Sequence, residues 1–323
     1  MKKRKILAVI LSAAMIAGLS IGSYADETPE VNFDAVVEEY YQEGEEVTVP
    51  GRAPEGVSER IQFTEEELQE MKEYYEKNMP EISPYYYDNS WTRVTDTSLK
   101  PYKSIANLRL VYNDGSVEYG TGAAVADGVV LTAAHCIYNP ISNKTLKSVQ
   151  LRFGRDENSY ENYATSTTFY TAPGWMTNKE YDWNNDYGII IISPSVTKKT
   201  GLLSYSSVQL TTSDELTLTG YPYSTLSDED NEKYNGLRCY TDTGRMTGFY
   251  DSKKLSFNHN MNCTTGDSGS PVYVDYGGDP VYGDDENWVI RGIHSGGYNS
   301  GTSKGVAKTI DSKVMNLIRT YEQ

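Results

Sequence analysis

Cysteine, histidine and basic residues are scarce in this 323-residue chain, and each scarcity closes off a class of function. Three cysteines cannot build a disulfide-dense mini-fold, and their odd number leaves at least one unpaired within the chain. Three histidines, His135, His259 and His294, nearly exclude a multi-histidine metal site, and no HExxH occurs. With 29 Lys/Arg against 45 Asp/Glu the formal net charge is −16, and no basic tract occurs beyond residue 5. Attraction to nucleic acid or an anionic membrane through charge is therefore not expected. Beyond residue 21 no apolar stretch is long enough to cross a bilayer. Only six phenylalanines stand against 28 tyrosines, a balance that suits strands and loops with wet edges. What remains is 38% hydrophobic residues, enough for a sizeable core in two modest domains or one barrel-sized one.

The charge is unevenly placed. Lys2, Lys3, Arg4 and Lys5 precede an apolar run from Ile6 to about Ile21, and Ser23-Tyr24-Ala25 puts small residues where a signal peptidase reads. Residues 1–25 are thus expected to be a signal peptide cleaved after Ala25, making the mature protein secreted and extracellular, without stable membrane association. Asp26 to Ser83 holds 18 Asp/Glu and 4 Lys/Arg, a net of −14. Its early part reads as acidic and flexible. Thr64 and Glu67 form a capping box, Phe63 and Leu68 can staple it, and Leu68, Met71 and Tyr75 recur at helical spacing. A helix over about Glu65 to Lys77 is expected, stopped by Pro80. An acidic block of this kind ahead of a compact domain, in a secreted chain, is read as a propeptide over 26–83.

From about Thr92 the texture becomes short apolar strands separated by Gly, Asn, Asp and Ser. Asn107–Tyr112, Gly128–Leu131, Val149–Phe153, Tyr187–Ile192, Leu216–Thr219, Pro271–Val274 and Val289–Ile293 are the clearest. This pattern predicts an all-β barrel or sandwich. One helix closes the chain over 311–321: Asp311 caps it, and Val314, Met315, Leu317, Ile318 and Tyr321 form its apolar face.

Three short stretches carry chemistry. Gly266-Asp267-Ser268-Gly269-Ser270-Pro271 sets a serine at a tight turn between glycines, which let backbone approach a substrate and aim N–H groups at one oxyanion. Leu131-Thr132-Ala133-Ala134-His135-Cys136 places a histidine among small residues directly after a buried strand. Asn185-Asp186-Tyr187-Gly188 places an acid at the entry to the most apolar strand, where it can accept from an imidazole and hold its tautomer. Taken singly, the histidine reads as a core residue and the aspartate as a turn residue; together they give the order His135, Asp186, Ser268.

In this order and with these neighbours the chain resembles a trypsin-fold serine endopeptidase, and more narrowly the secreted glutamyl endopeptidases of staphylococci and bacilli. The resemblance runs from about Thr92 to the C-terminus. It rests on Thr92–Thr97, Pro101-Tyr102, His135–Tyr138, Pro173-Gly-Trp175, Asp186–Gly188, Gly220-Tyr-Pro222, Gly266–Pro271, Gly292-Ile-His294 and Gly296-Gly297. It implies two six-stranded antiparallel β-barrels within a protease domain over 84–323, at about 92–197 and 203–310, with the site between them. It also implies His135 as general base, Ser268 as nucleophile, Asp186 as orienting acid, and the N–H groups of Gly266 and Ser268 as oxyanion hole. That chemistry asks for no metal and no cofactor. The implied partners are protein or peptide substrates and the chain's own propeptide, acting on a monomer.

For specificity, Asn262 stands six residues before Ser268, where trypsin-like enzymes that bind basic side chains carry Asp. The resemblance places His294 in the primary pocket as a donor to a substrate carboxylate, with the hydroxyls of Thr264 or Thr265 beside it. It also implies weaker binding at high pH as His294 becomes neutral. Cys263 departs from the Thr or Ser usual in relatives, so a preference for Asp or small apolar side chains stays open, as does a non-catalytic binding protein on the same scaffold. Gly120 stands where a partner for Cys136 is often found, which leaves Cys136 free; for Cys239 and Cys263 a bridge and two free thiols are both open. Asp267 suggests a partner for a newly freed α-amine, and a cut between Glu81 and Ile82 would supply one. Asp275, Asp279, Asp284, Asp285 and Glu286 crowd a Gly-rich loop that could take calcium but lacks EF-hand spacing; a solvated hairpin tip is the expectation. His259 reads as a surface loop residue.

Overall fold

A computed structural model describes residues 91–139, 144–177, 182–223, 233–277, 287–300 and 303–323, together with the two short strands Val49–Pro50 and Tyr85–Tyr86. The expected signal peptide, the helix over 65–77, the Glu81–Ile82 bond and the acidic loop over 279–286 lie outside the described residues.

Alternating burial builds the strands. In Ile105–Tyr112 the side chains of Leu108, Leu110 and Tyr112 are buried, while Arg109 and Val111 are only half so. Burying each such leucine is worth roughly 2 kcal/mol. Val129–Thr132 and Phe169–Thr171 are buried at every position, as central strands covered on both faces must be. Five of the seven strands expected from sequence fall within observed strands, and the other two overlap observed ones, Gly128–Leu131 starting one residue before Val129–Thr132 and Tyr187–Ile192 exceeding Gly188–Ile191 by one residue at each end.

The strands make two large sheets, antiparallel except where Ser204–Tyr205 runs parallel to Trp288–Ser300, and one two-stranded sheet. The first has nine, running from Val49–Pro50 through Phe169–Thr171, Gly188–Ile191, Val129–Thr132, Val117–Ala126, Ile105–Tyr112 and Lys144–Phe153 to Tyr138–Asn139, with Asn162–Ser166 also paired to Lys144–Phe153. The second has eight. Six of them close a ring: Trp288–Ser300, Pro271–Asp275, Glu215–Gly220, Tyr240–Phe249, Ser256–His259 and Ser303–Thr309, which pairs back to Trp288–Ser300. Two-residue strands, too short to leave a pattern in sequence, account for two of the three strands beyond six in the first sheet and for both of those in the second. One of these corrects an expected boundary: Thr92–Arg93 pairs with Tyr240–Thr241 of the second sheet, not with the first.

In chain order, the helix Pro194–Thr200 follows Gly188–Ile191 of the first sheet, started by Ser193, whose hydroxyl accepts from Ser195 N. The closing helix Ser312–Tyr321 is capped by Asp311, which accepts from the N–H groups of Lys313 and Val314. Val314, Leu317 and Ile318 enter the first core, and Tyr321 stacks on Tyr170 at 3.8 Å between ring centroids. All three cysteines are free and buried, so Cys239 and Cys263 do not pair. Gly120 does face Cys136: a Cβ there would sit 3.2 Å from its sulfur.

Candidate active site

The strand Val129–Thr132 ends in a 3-10 turn, Ala134–Cys136, that carries His135 out of the first core. On the neighbouring strand Gly188 keeps that turn close, since a Cβ there would come within 2.7 Å of Ile137 and of the Tyr170 carbonyl. Just before Gly188 a second 3-10 turn, Trp183–Asn185, is capped by Asp182 and delivers Asp186. Asp186 is fully buried and spends both oxygens on one residue. Its Oδ2 lies 2.9 Å from His135 Nδ1, and its Oδ1 accepts the His135 backbone N–H at 3.0 Å. Burial opposes a charged imidazole at His135, but the Asp186 carboxylate outweighs it and holds His135 well above its ordinary range. The ring nitrogen facing Asp186 is therefore the protonated one.

The Ser268 turn belongs to the second sheet but is fastened to the first. Thr121, in Val117–Ala126, donates its N–H to the Ser268 carbonyl at 2.8 Å and its hydroxyl to the Gly266 carbonyl at 2.8 Å. The same hydroxyl accepts from Tyr221 N at 3.1 Å. Cys136, next to His135, points its sulfur at the Ser268 carbonyl, 3.8 Å away. Two glycines are required by geometry. Gly266 has φ +92°, and a Cβ would lie 2.4 Å from the Tyr221 carbonyl; Gly269 has φ +84° and would strike Thr121 and Thr132 at 2.2 Å. Ser268 itself is half-exposed on this turn. Thr121 was invisible to sequence reasoning, because a threonine between two glycines carries no signal of what it bolts together.

His294 reaches the same place along Trp288–Ser300. Its carbonyl accepts from Gly269 N at 2.8 Å, and its N–H donates to the Ser270 carbonyl at 2.9 Å. Behind it stands His259, with Nε2 3.1 Å from His294 Nδ1. His259 is no surface loop residue: it is fully buried at the end of Ser256–His259, on the inward face with Phe257. The period-two alternation of Phe257 and His259 was the available signal. Burial drives His259 down to about 3, and burial followed by the charge of His259 drives His294 well below its ordinary range. Both rings are therefore neutral at neutral pH, and one donates to the other. A loss of binding at high pH through deprotonation of His294 does not fit this environment.

The remaining predicted pocket residues line the wall before the nucleophile. Asn262 is buried, and its Oδ1 accepts from Lys304 Nζ at 2.9 Å. The short strand Cys263–Thr264 pairs with Tyr85–Tyr86. Thr264 N donates to Asp267 Oδ2 at 2.9 Å, and its hydroxyl donates to the Tyr223 carbonyl at 3.4 Å. Thr265 is exposed, its carbonyl taken by Tyr223 N. Asp267 is buried, pushed well above the usual carboxylate range by burial, and its Oδ1 has no hydrogen-bond partner. Among the described residues no group of three or more His, Cys, Asp or Glu side chains is placed to hold a metal ion.

Comparison with known proteins shows what the chain is similar to. The trypsin family's sequence profile matches residues 104–318. A Bacillus subtilis protein named extracellular metalloprotease is 27% identical over 327 residues, covering 97% of this chain and 94% of that protein. A glutamyl endopeptidase of Bacillus licheniformis is 28% identical over 213 residues, 64% of this chain and 61% of that protein. Among solved structures, a Glu endopeptidase in complex with MPD superposes with a TM-score of 0.58 at 21% identity, covering 73% of this chain and 98% of the other. The protease Anisep from Arthrobacter nicotinovorans does so with 0.57 at 16% identity, over 72% and 99%. These two structural likenesses bear on the fold alone.

Proposed function

The chain belongs to the trypsin family and is a serine endopeptidase related to glutamyl endopeptidases, and on that premise we propose that it is a secreted enzyme, made as a zymogen, that cuts peptide chains after glutamate. The observation that supports the catalytic reading best is the grip of buried Asp186 on both the ring and the backbone of His135.

In this reading Asp186 accepts from His135 Nδ1–H, leaving Nε2 as the basic nitrogen. His135 takes the Ser268 hydroxyl proton as Ser268 Oγ bonds to the peptide carbonyl carbon. The N–H groups of Gly266 and Ser268 hold the developing oxyanion, each donor typically worth about 3 kcal/mol of barrier. His135 returns the proton to the leaving amine, which departs and leaves an acyl-enzyme. Water then repeats the sequence, giving the acid and restoring Ser268.

Preference for glutamate is supported by His294, fixed to the Ser268 turn through its own backbone, and by the absence of an acid at Asn262. A zymogen is supported by the acidic block and by Asp267, whose unpartnered buried oxygen suits an α-amine such as that of Ile82 freed by a cut after Glu81. A fluorophosphonate tests the nucleophile. Processed protein is expected to carry the label on Ser268, read by tandem mass spectrometry, and Ser268→Ala to carry none. Label on another serine, or none, contradicts the reading.

A further inference from the structure

Away from the catalytic turns, positive charge gathers in a cleft. Residues 84–323 carry 21 Lys/Arg against 27 Asp/Glu, so acids prevail over that part of the chain. The balance is reversed in a cleft of about 880 Å³, where Lys100, Lys103, Lys198 and Lys199 stand against a single acid, Asp127. Asp127 meets Lys198 at 3.7 Å. Lys198 and Lys199 are exposed and Lys103 is half-buried. Val125 and Leu203, both buried, add apolar wall. Walls of low dielectric focus the field of like charges around them, so such a cleft attracts a polyanion.

The fold holds these lysines together. Ser104, next to Lys103, donates its hydroxyl to the Thr200 carbonyl at 2.9 Å, which ties Lys103 to the helix Pro194–Thr200 that carries Lys198 and Lys199. Thr197 of that helix accepts from Gly128 N at 3.0 Å, beside Asp127. Val129–Thr132 leads away from this end of the first sheet toward the His135 turn.

The acidic block is fastened to the domain on both sides of its later half. Val49–Pro50 pairs antiparallel with Phe169–Thr171, Pro50 opposite Tyr170, so Pro50 directs the chain toward the Thr168 end of that strand. There the Thr168 carbonyl accepts from Ile191 N, and Ile192 N donates to the Gly128 carbonyl, both at 2.9 Å, just before the lysine-bearing helix. Tyr85–Tyr86 closes the stretch on Cys263–Thr264. The intervening residues 51–84 reach on the order of 110 Å when extended, ample for a path through the cleft. Six of the twelve residues from Glu65 to Glu76 are Glu, and one, Lys72, is basic. On the helix expected there Glu66, Glu70 and Glu73 share a face at spacings of four and three, where like charges repel. A cationic surface against that face relieves the repulsion.

We propose that the lysine cleft is the docking site for this chain's own acidic stretch, residues 51–83, with Glu66, Glu70 and Glu73 set against Lys103, Lys198 and Lys199. The stretch is tethered at both ends, so its effective concentration favours it over a free polyanion. The proposal stands whether or not the enzyme prefers glutamate.

The test uses the full chain carrying Ser268→Ala, with the acidic block verified by intact mass. A carbodiimide joins carboxylates to ammoniums only where they touch, and tandem mass spectrometry maps the products. Links from Glu66, Glu70 or Glu73 to Lys103, Lys198 or Lys199 within one molecule are expected, fading at about 1 M salt. A second readout needs no reactive lysine: the rate at which added chymotrypsin cuts the block at Tyr74 or Tyr75. Combining Lys103→Gln, Lys198→Gln and Lys199→Gln is expected to raise that rate roughly 10-fold, the scale of a few exposed ion pairs. The three corresponding Arg substitutions should leave it unchanged, and the urea midpoint of each variant reports that the domain is folded. Links confined to other lysines, or a Gln variant cut no faster, would overturn the proposal. Links formed only between molecules would set the cleft against a second copy and overturn it as well. Should the Gln variant fail to fold, the links in the parent chain decide.

Discussion

Asp186 gives both carboxylate oxygens to His135 and is itself shielded from water, so its replacement reports directly on how the imidazole is held. Asp186→Asn keeps the shape but favours the wrong tautomer, and kcat for an uncharged ester is expected to drop on the order of 10⁴-fold with KM little changed. The wild-type pH profile follows from the same contact. In the proposed mechanism catalysis needs neutral His135, and Asp186 raises the pH at which that ring gives up its proton. Activity is therefore lost as pH falls through the raised value, with the acid limb of kcat/KM above the ordinary imidazole value of about 6.5. A limb well below that value contradicts the contact. At this scale His135, Asp186 and Ser268 were legible because each brings distinctive neighbours: small residues under a histidine, an acid at a strand entry, glycines around a serine. Thr121 was not. It acts through the Gly266 carbonyl, 145 positions away, and nothing in its flanks announces that.

The closing helix shows how an element is held by more than its apolar face. Asp311 caps Ser312–Tyr321 and also pairs with Lys308, whose ammonium is wholly buried at 2.5 Å from Asp311 Oδ2 and also donates to the Leu255 carbonyl. Burial pulls Lys308 below its ordinary range, and Asp311 works against that pull. Asp311→Ala removes the cap, worth about 1 kcal/mol, and strands a buried cation, which typically costs about 3 kcal/mol or more. A fall in unfolding free energy of about 3 kcal/mol is expected by urea titration; a fall well under 1 kcal/mol would show that Lys308 does not depend on this carboxylate. The helix and its cap were readable from Asp311 and the 3.6-residue spacing after it. The seven apolar strands were readable from their length and turns. The two-residue strands were not, since pairing that short is imposed by the neighbouring strand rather than by local pattern, and Thr92–Arg93 was accordingly placed with the wrong sheet. His259 was misread for a related reason: polar neighbours at Asn258 and Asn260 masked the alternation that buries it.

Over the whole molecule, charge and topology divide the chain in ways the sequence makes legible to different degrees. The −14 of residues 26–83 against the −6 of residues 84–323 was open to counting. So was the change of texture near residue 92, because strand-and-turn composition differs from an acidic tract. The fastening of the two sheets through Thr121 and the Ser268 turn was not, since it joins segments about 145 residues apart and only the folded topology brings them together. The zymogen reading belongs to this scale. Secreted Ser268→Ala protein is expected to retain the acidic block while wild type begins at Ile82 on N-terminal sequencing; a wild-type start well away from Ile82 removes self-cleavage at Glu81. The central claim is that one serine, served by His135 and Asp186, cuts chains after glutamate. Its most direct test is cleavage-site mapping by mass spectrometry, with the processed protein given a diverse peptide pool and Ser268→Ala as control. Cuts clustered after Glu and absent from the control are the expected result; cuts after other residues, or cuts that persist in Ser268→Ala, would contradict it.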